Sequence, residues 1–371
     1  MEVLIKQIAI VGLGLIGGSL GKALKKRHPE YRIIGIDVEN EIVQKATEAK
    51  VIDRGTTSLS DGLLNAELVF LAVPVQELSV TVRRILPLIS PGVILTDVCS
   101  TKENVVAMME EILPDDIYFV GGHPMAGSEK WGLEGVDDLL FENAVYILTS
   151  TAKTSTWALA EVRKIVELLG ARVIILTPEE HDKKVAAVSH LPHVVASALI
   201  NTVGKMETGQ QGYLMLAAGG LRDTTRIALS NSELWSGILL SNEQAVLPMI
   251  KEFKKSLSSF ERSIKQKNSK NLNKLLLEAR LWRRSLPTGM KGILPQIYEL
   301  NVAIPDQPGM IGKISTLLGK YAINIIDIEV QRVREGENGA IRLGFAEEKG
   351  MQEALRILEA KGYKVRESSV G

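Results

Sequence analysis

The stretch Gln7-Ile-Ala-Ile-Val11-Gly12-Leu-Gly14-Leu15-Ile16-Gly17 decides the fold of this chain. A short apolar run of strand-forming residues leads directly into Gly-x-Gly-x-x-Gly, and a helical pattern follows. Between a strand and a helix, such a triplet reads as a phosphate-binding turn. Its glycines permit a tight bend and let a diphosphate approach a helix N-terminus, where free N–H groups and the helix dipole favour an anion. Asp37 ends the second apolar run, twenty residues after Gly17. A carboxylate there accepts hydrogen bonds from an adenosine ribose and repels a 2′-phosphate, which favours NAD over NADP. Gly12, Gly14, Leu15, Ile16, Gly17 and Asp37 are therefore the candidate cofactor residues. A structural strand–helix turn without a ligand is the alternative.

Outward from this turn, apolar runs recur at 32–36, 68–72, 93–96, 117–120, 144–148 and 172–176. Helix-length segments separate most of them, which predicts a parallel sheet covered on both faces: an α/β, Rossmann-like domain over residues 1–176. Thr177-Pro-Glu-Glu180 is a capping box with proline at the first helical position, a strong helix start. Helical patterns then run through Lys205, from about Gln211 to Ser230, from Ser232 to about Gln266 and from Asn271 to Arg284, with Pro192 expected to kink the first. This predicts an all-α second domain, 177–290, of the bundle type that often serves dimerisation. Two prolines and two glycines in the eleven residues 285–295 mark a boundary. The remainder, 296–371, reads strand (298–304), helix (to Gly319), a hairpin (323–333 with 340–346), helix (351–360) and strand (363–365), a ferredoxin-like βαββαβ module.

The 371 residues are 45% hydrophobic and 24% charged, and the 44 basic side chains equal the 44 acidic ones. A net charge of zero argues against a general nucleic-acid binder or a membrane-surface binder. The single cysteine, Cys99, excludes an intrachain disulfide. That fits a reducing cytoplasm, as does an N-terminus without a secretory pattern. No stretch reads as long enough to span a bilayer.

Four segments carry ionisable or polar side chains in settings that suit chemistry. Gly121-Gly-His123-Pro-Met-Ala-Gly-Ser-Glu129 places an imidazole and a carboxylate six residues apart in what reads as a Gly/Pro-rich loop after a strand. A histidine there can take a hydroxyl proton near neutral pH, or merely cap backbone groups. Asp97-Val-Cys-Ser100-Thr-Lys102 follows another strand; Ser100 and Thr101 can bind a ligand, cap the next helix, or do both. Cys99 reads as a small buried residue. In Ser189-His190-Leu-Pro-His193, no further ligand nearby completes a metal site, so no metal is expected. The kink at Pro192 aims His193 at a cleft, unless it is a satisfied helix histidine. His28 and His181 read as surface residues. Gly219-Gly-Leu-Arg222-Asp223-Thr-Thr-Arg226, with Trp235 nine residues on, suits carboxylate recognition by a guanidinium, with surface ion pairs as the alternative.

Taken in order, VGLGLIGGSL, DVCSTK, GGHPMAGSEKWG, SHLPHVVASAL and GGLRDTTRIALSNSELW resemble the prephenate dehydrogenases of tyrosine biosynthesis, roughly from Gln7 to Leu286. IPDQPGMIGKISTLL resembles an ACT domain, a regulatory module that often binds amino acids. The first resemblance implies NAD-dependent oxidative decarboxylation of prephenate to 4-hydroxyphenylpyruvate. His123 would be the hydrogen-bond acceptor that polarises the 4-hydroxyl, with Ser100 beside it. His193 and Arg226 would bind substrate carboxylate and carbonyl groups, and Glu129 would support the polar network. Gly219 and Trp235 would form a wall contributed across a homodimer interface. The second resemblance implies feedback by tyrosine at Gly309 and Asn324, with a packing module as the alternative. An arogenate dehydrogenase is the nearest rival, although a cationic pocket of His193 and Arg226 disfavours an added ammonium. A hydroxyacid dehydrogenase with a regulatory tail and a non-catalytic, NAD-responsive regulator are more distant ones.

Overall fold

Near-continuous apolar runs become strands whose alternate side chains enter opposite cores. A computed structural model of the chain describes residues 5–127, 132–207, 212–286, 298–305, 307–331 and 339–367. It divides into two compact units, Met1–Ser269 and Lys270–Gly371. The first opens with β1 (Gln7–Val11), α1 (Leu15–Arg27), β2 (Arg32–Ile36), α2 (Asn40–Glu48), β3 (Arg54–Thr56), α3 (Leu59–Leu63), β4 (Leu68–Leu71) and α4 (Val75–Ile85). It continues with β5 (Ile94–Asp97), α5 (Glu103–Ile112), β6 (Tyr118–Pro124), β7 (Val145–Thr149), α6 (Thr156–Leu168) and β8 (Arg172–Leu176). The eight strands lie in the order β3-β2-β1-β4-β5-β6-β7-β8. Ile8, Ile10 and Phe70 pack with α1 and α6 on one face, through Leu20, Leu24, Val162 and Ile165. Ala9, Val11, Val69 and Leu71 pack with α4 and α5 on the other, through Leu78, Val82, Val105 and Met109.

Two features correct the sequence reading. The three-residue β3 is too short to show as an apolar run. The sheet is mixed, because β6 pairs antiparallel with β7. Residues 125–144 contain only a short 3-10 turn among those described, and a parallel return needs a helix-length crossover.

The capping box forms as predicted: Glu180 N–H donates to Thr177 Oγ1 at 3.2 Å, and Thr177 N–H donates to Glu180 Oε2 at 3.0 Å. It starts α7 (Pro178–Val185), which passes through one π-helical turn, Ala186–His190, into α8 (Leu191–Lys205). Pro192 lacks the N–H that would close the preceding α-turn, and a widened turn is one way a helix absorbs that loss. By length and composition alone Pro178–Lys205 is long and apolar enough to cross a membrane, against the sequence expectation. Its His181, Asp182, His190 and His193 are nevertheless buried within the unit. The stretch expected as one helix up to Ser230 is broken into α9 (Gly219–Thr225) flanked by 3-10 turns; α10 (Ser232–Ser241) and α11 (Glu243–Lys265) follow.

The second unit takes α12 (Ser269–Ser285) from its second residue onward and holds β9 (Tyr298–Ala303), α13 (Met310–Gly319), β10 (Asp327–Gln331), β11 (Ala340–Phe345), α14 (Glu348–Ala360) and β12 (Lys364–Glu367). Its antiparallel sheet, β10-β11-β9-β12, is the ferredoxin-like order, with Ile314, Leu318, Ala354 and Leu358 packed on Leu300, Val302, Ile341 and Leu343. The expected hairpin tip at 335–339 falls largely outside the described residues.

Candidate active site

The carboxyl ends of β1, β4 and β5 stand level, with Val11 paired to Leu71 and Leu71 to Asp97, and β1 is the strand from which the order departs in both directions. Ligands bind at such a switch point. Gly12 has φ +94°, and a Cβ there would lie 2.4 Å from the Ala72 carbonyl oxygen. A Cβ on Gly17 would lie 2.0 Å from the Gly12 carbonyl oxygen. Gly14 differs: it is the N-cap of α1 and has open space where its Cβ would be. No side chain caps α1, and no acidic residue lies in its first turn, which Leu15 and Ile16 begin. The first N–H groups of α1 therefore take no side-chain cap at the positive end of the helix dipole, which is what a diphosphate requires. Asp37 braces the loop: Oδ2 accepts from Leu13 N–H at 2.8 Å and Oδ1 from Glu39 N–H at 3.1 Å. A carboxylate has about four lone-pair sites, so acceptor capacity for a ribose is left. These residues fit a dinucleotide.

His123 lies in β6, not in a loop, which corrects the sequence reading. After Val120 the strand loses β5 as a partner and continues against β7, with His123 opposite Ile147. The glycines before it serve close packing: a Cβ on Gly121 would meet Thr149 Oγ1 at 2.4 Å, and one on Gly122 the Asp97 carbonyl oxygen at 2.6 Å. Gly122 N–H donates towards β5, to Asp97 Oδ1 at 3.0 Å. Pro124, two residues on, shares that side, where β5 has ended and no N–H is needed.

His123 is buried, and its Nδ1 lies 2.7 Å from His181 Nε2. His181 Nδ1 in turn lies 2.7 Å from Asp182 Oδ1. Burial, with His181, Lys102 and His190 nearby, holds His123 well below the usual histidine range, so it is neutral at pH 7. Beneath it is a fully buried ion pair between Lys102 Nζ and Asp97 Oδ2, and the same Asp97 oxygen accepts from Cys99 N–H at 2.9 Å. Burial and the Asp97 charge push the Cys99 thiol up, which leaves it inert. Ser100 is half-buried in the segment after β5. Neither Ser100 nor Thr101 caps α5; Lys102 is its N-cap residue, and Asp182 accepts its first N–H groups from another helix. Thr101 Oγ1 instead lies 2.8 Å from Ser241 Oγ.

The helical region supplies a second wall. Asn242 Nδ2 donates to the Asp182 carbonyl oxygen at 3.0 Å and lies 3.2 Å from His190 Nδ1. His190 meets Trp235 edge-on with ring centroids 6.0 Å apart, and His193 stacks on that indole at 3.6 Å and 4°. A continuous series of contacts thus links His123 to His193. Burial lowers His190 to about 4 and lowers His193 as well. His193 Nδ1 is buried with no hydrogen-bond partner among the described residues, an arrangement that calls for a ligand atom. Trp235 forms this wall within its own chain, so the stacking needs no second copy. Arg226 and Gly219 are exposed, at the end and start of α9. Glu129 lies outside the described residues.

His181 is the main correction: it is fully buried rather than at the surface. Asp182 and Asn242 were not singled out from sequence at all. The available signal was the buried run His181, Asp182, Val185, Ala186 and His190, which keeps one helical face through α7 and the π-turn.

Residues 20–175 match the family description "prephenate dehydrogenase, nucleotide-binding domain", and residues 177–278 match "prephenate dehydrogenase, dimerization domain". Prephenate dehydrogenase of Bacillus subtilis (strain 168) is 37% identical over 355 residues, 95% of this chain and 96% of that protein. The chain belongs to the prephenate dehydrogenase family. Residues 298–362 match the ACT domain. Among solved structures of the family, that of Aquifex aeolicus prephenate dehydrogenase in complex with hydroxyphenyl propionate and NAD+ superposes with a TM-score of 0.73 at 35% identity, covering 77% of this chain and all of that one. Synechocystis arogenate dehydrogenase follows the same course with a TM-score of 0.64 at 33% identity, over 75% of this chain and 98% of that one.

In the ACT domain, Gly309 is the N-cap of α13 at φ +85° and borders an open groove of about 650 Å³ that Lys313, Lys320, Lys361 and Tyr363 also line. Asn324 is not among its lining residues. It precedes β10 rather than starting it, because Ala322 and Ile323 are still closing the turn after α13, with Ile323 N–H bonded to the Leu318 carbonyl at 3.2 Å.

Proposed function

We propose that this family member carries out the NAD-dependent oxidative decarboxylation of prephenate to 4-hydroxyphenylpyruvate. The observation that supports it most is a neutral, buried His123 beside the carboxyl ends of a nucleotide-binding sheet, joined by contacts to a wall that holds the unpartnered Nδ1 of His193. NAD, seated by Gly12, Gly14, Gly17 and Asp37, supplies the hydride acceptor, and loss of carbon dioxide restores an aromatic ring. His123 accepts the proton of the 4-hydroxyl as that oxygen becomes a carbonyl. Ser100 donates a hydrogen bond near the same oxygen. His193 and Arg226 hold the substrate's carboxylate and carbonyl groups, with Glu129 in support. The polypeptide is read as 1–176, 177–290 and 296–371, working as a cytoplasmic homodimer to whose site Gly219 of the neighbour contributes, while Trp235 comes from the chain that carries His193. Tyrosine acts on the ACT domain through the region of Gly309 and Asn324.

Arogenate is the second reading, favoured by the likeness to the Synechocystis enzyme. Prephenate is preferred because a site that uses the Arg226 guanidinium to hold substrate carboxylate gains nothing from an added ammonium. NADH formation by the purified chain with each substrate tests the choice. Faster turnover and a lower KM with prephenate are expected, and the reverse order would reject prephenate.

A further inference from the structure

We infer that Asp182 and His181 are positioning residues that lock His123 in one tautomer, with its proton on Nδ1 and a bare lone pair on Nε2. The inference rests on the reading of His123 as proton acceptor and adds what makes it one.

The argument starts from a group that can only accept. The Asp182 carboxylate receives Lys102 N–H on Oδ1 at 2.7 Å and Glu103 N–H on Oδ2 at 2.9 Å, both from the start of α5. It offers lone pairs and no proton. The contact from Oδ1 to His181 Nδ1 at 2.7 Å therefore requires a proton on that nitrogen. The inferred lock has His181 carry that one proton and no other, so its Nε2 is an acceptor. It lies 2.7 Å from His123 Nδ1, which must then be the donor. One nitrogen of His123 remains, Nε2, and it holds no proton. A base must present that lone pair to take a hydroxyl proton; the opposite tautomer would present an N–H and block the transfer.

Burial makes the assignment firm. His181 and Asp182 are 0% and 1% exposed, so water does not compete for these hydrogen bonds. Asn242 fixes the same turn through the Asp182 carbonyl at 3.0 Å. The series runs from α7 in the helical region to β6 in the sheet, so the helical region sets the protonation pattern of a residue it does not contain.

The test uses the full chain. In protein labelled with nitrogen-15 at histidine, long-range nitrogen–proton correlation spectra near pH 7.5 should show His123 with a pyrrole-type Nδ1 and a pyridine-type Nε2. Asp182→Asn places an amide against His181 and lets its ring turn over, which propagates to His123. Its kcat with prephenate should fall by about 100-fold or more, the scale of lost general acid–base catalysis, while KM changes less than about threefold. The inference is overturned if His123 in the unsubstituted chain carries its proton on Nε2, or if folded Asp182→Asn keeps kcat within threefold. If Asp182→Asn fails to fold, the spectrum of the unsubstituted chain decides. His123→Asn separates the two ideas: near-full activity in that variant rejects His123 as acceptor, whereas an inactive His123→Asn with an active Asp182→Asn rejects only the lock.

Discussion

Replacing Lys102 by methionine should be among the most damaging single changes in the sheet, and its size follows from what surrounds the ammonium. Both Lys102 and Asp97 side chains are 0% exposed. Methionine fills similar space but leaves the Asp97 carboxylate without its counter-ion. Breaking a buried pair in this way costs about 3–5 kcal/mol. Asp97 keeps the N–H groups of Gly122 and Cys99, so the lower end, about 3 kcal/mol, is expected. That is a large part of the roughly 5–15 kcal/mol that holds a domain together. Adding Asp97→Asn removes the stranded charge and retains one acceptor oxygen, so the double variant should lose only about 1–3 kcal/mol, for one orphaned N–H. Urea unfolding followed by circular dichroism measures all three variants. A double variant destabilised by the sum of the two single losses would refute the reasoning, since the penalty would then not be an uncompensated charge. Lys102 also helps hold His123 low, so the acid limb of activity in a surviving Lys102→Met enzyme should move to higher pH.

Other expectations are direct. Gly14→Ala meets open space and should change stability by no more than about 1 kcal/mol while weakening NAD binding tenfold or more; Gly17→Ala drives a Cβ into the Gly12 carbonyl and should cost about 1–3 kcal/mol before any ligand is added. Calorimetric titration with NAD and urea melts separate the two effects. His190 is lowered in the folded chain, so below about pH 6.5 the unfolded chain binds a proton that the folded one refuses. Its contribution to stability is complete above that pH and declines by about 1.4 kcal/mol per unit as the pH falls towards about 4. Urea melts between pH 7.5 and 5 should show a shallower decline in His190→Gln. Chain ending at Met290 should lose inhibition by tyrosine; equal inhibition with and without the ACT domain would place tyrosine at the active site instead.

Features set by short-range rules were legible in the sequence. The glycine turn, the capping box at Thr177 and the βαββαβ order of the last region each depend on residues a few positions apart. What sequence hid depends on partners far along the chain. His123 looked like a loop residue because Gly121, Gly122 and Pro124 punctuate loops elsewhere. Here two of them admit the close approach of Thr149 and of the Asp97 backbone, and the third sits where a sheet neighbour has ended. His181 and Asp182 looked solvated because they share a helical turn with Glu179, Glu180, Lys183 and Lys184; only the docking of α7 on α5 shows which face is buried. The helix cap expected from Ser100 or Thr101 is supplied by Asp182, 80 residues from Lys102.

The strand setting of His123 also bears on which parts of the molecule open first. Segments that carry functional groups on loops are usually drawn from the least protected part of a fold, and their amides exchange with solvent early. Here the Met125 N–H is bonded to the Val145 carbonyl at 2.8 Å and the Gly122 N–H to a fully buried carboxylate. Amides around His123 should then exchange only when the whole sheet comes apart. Warming or mild denaturant would disturb the exposed α9 segment long before the strand around His123, so Arg226 would lose its place while His123 stays in register.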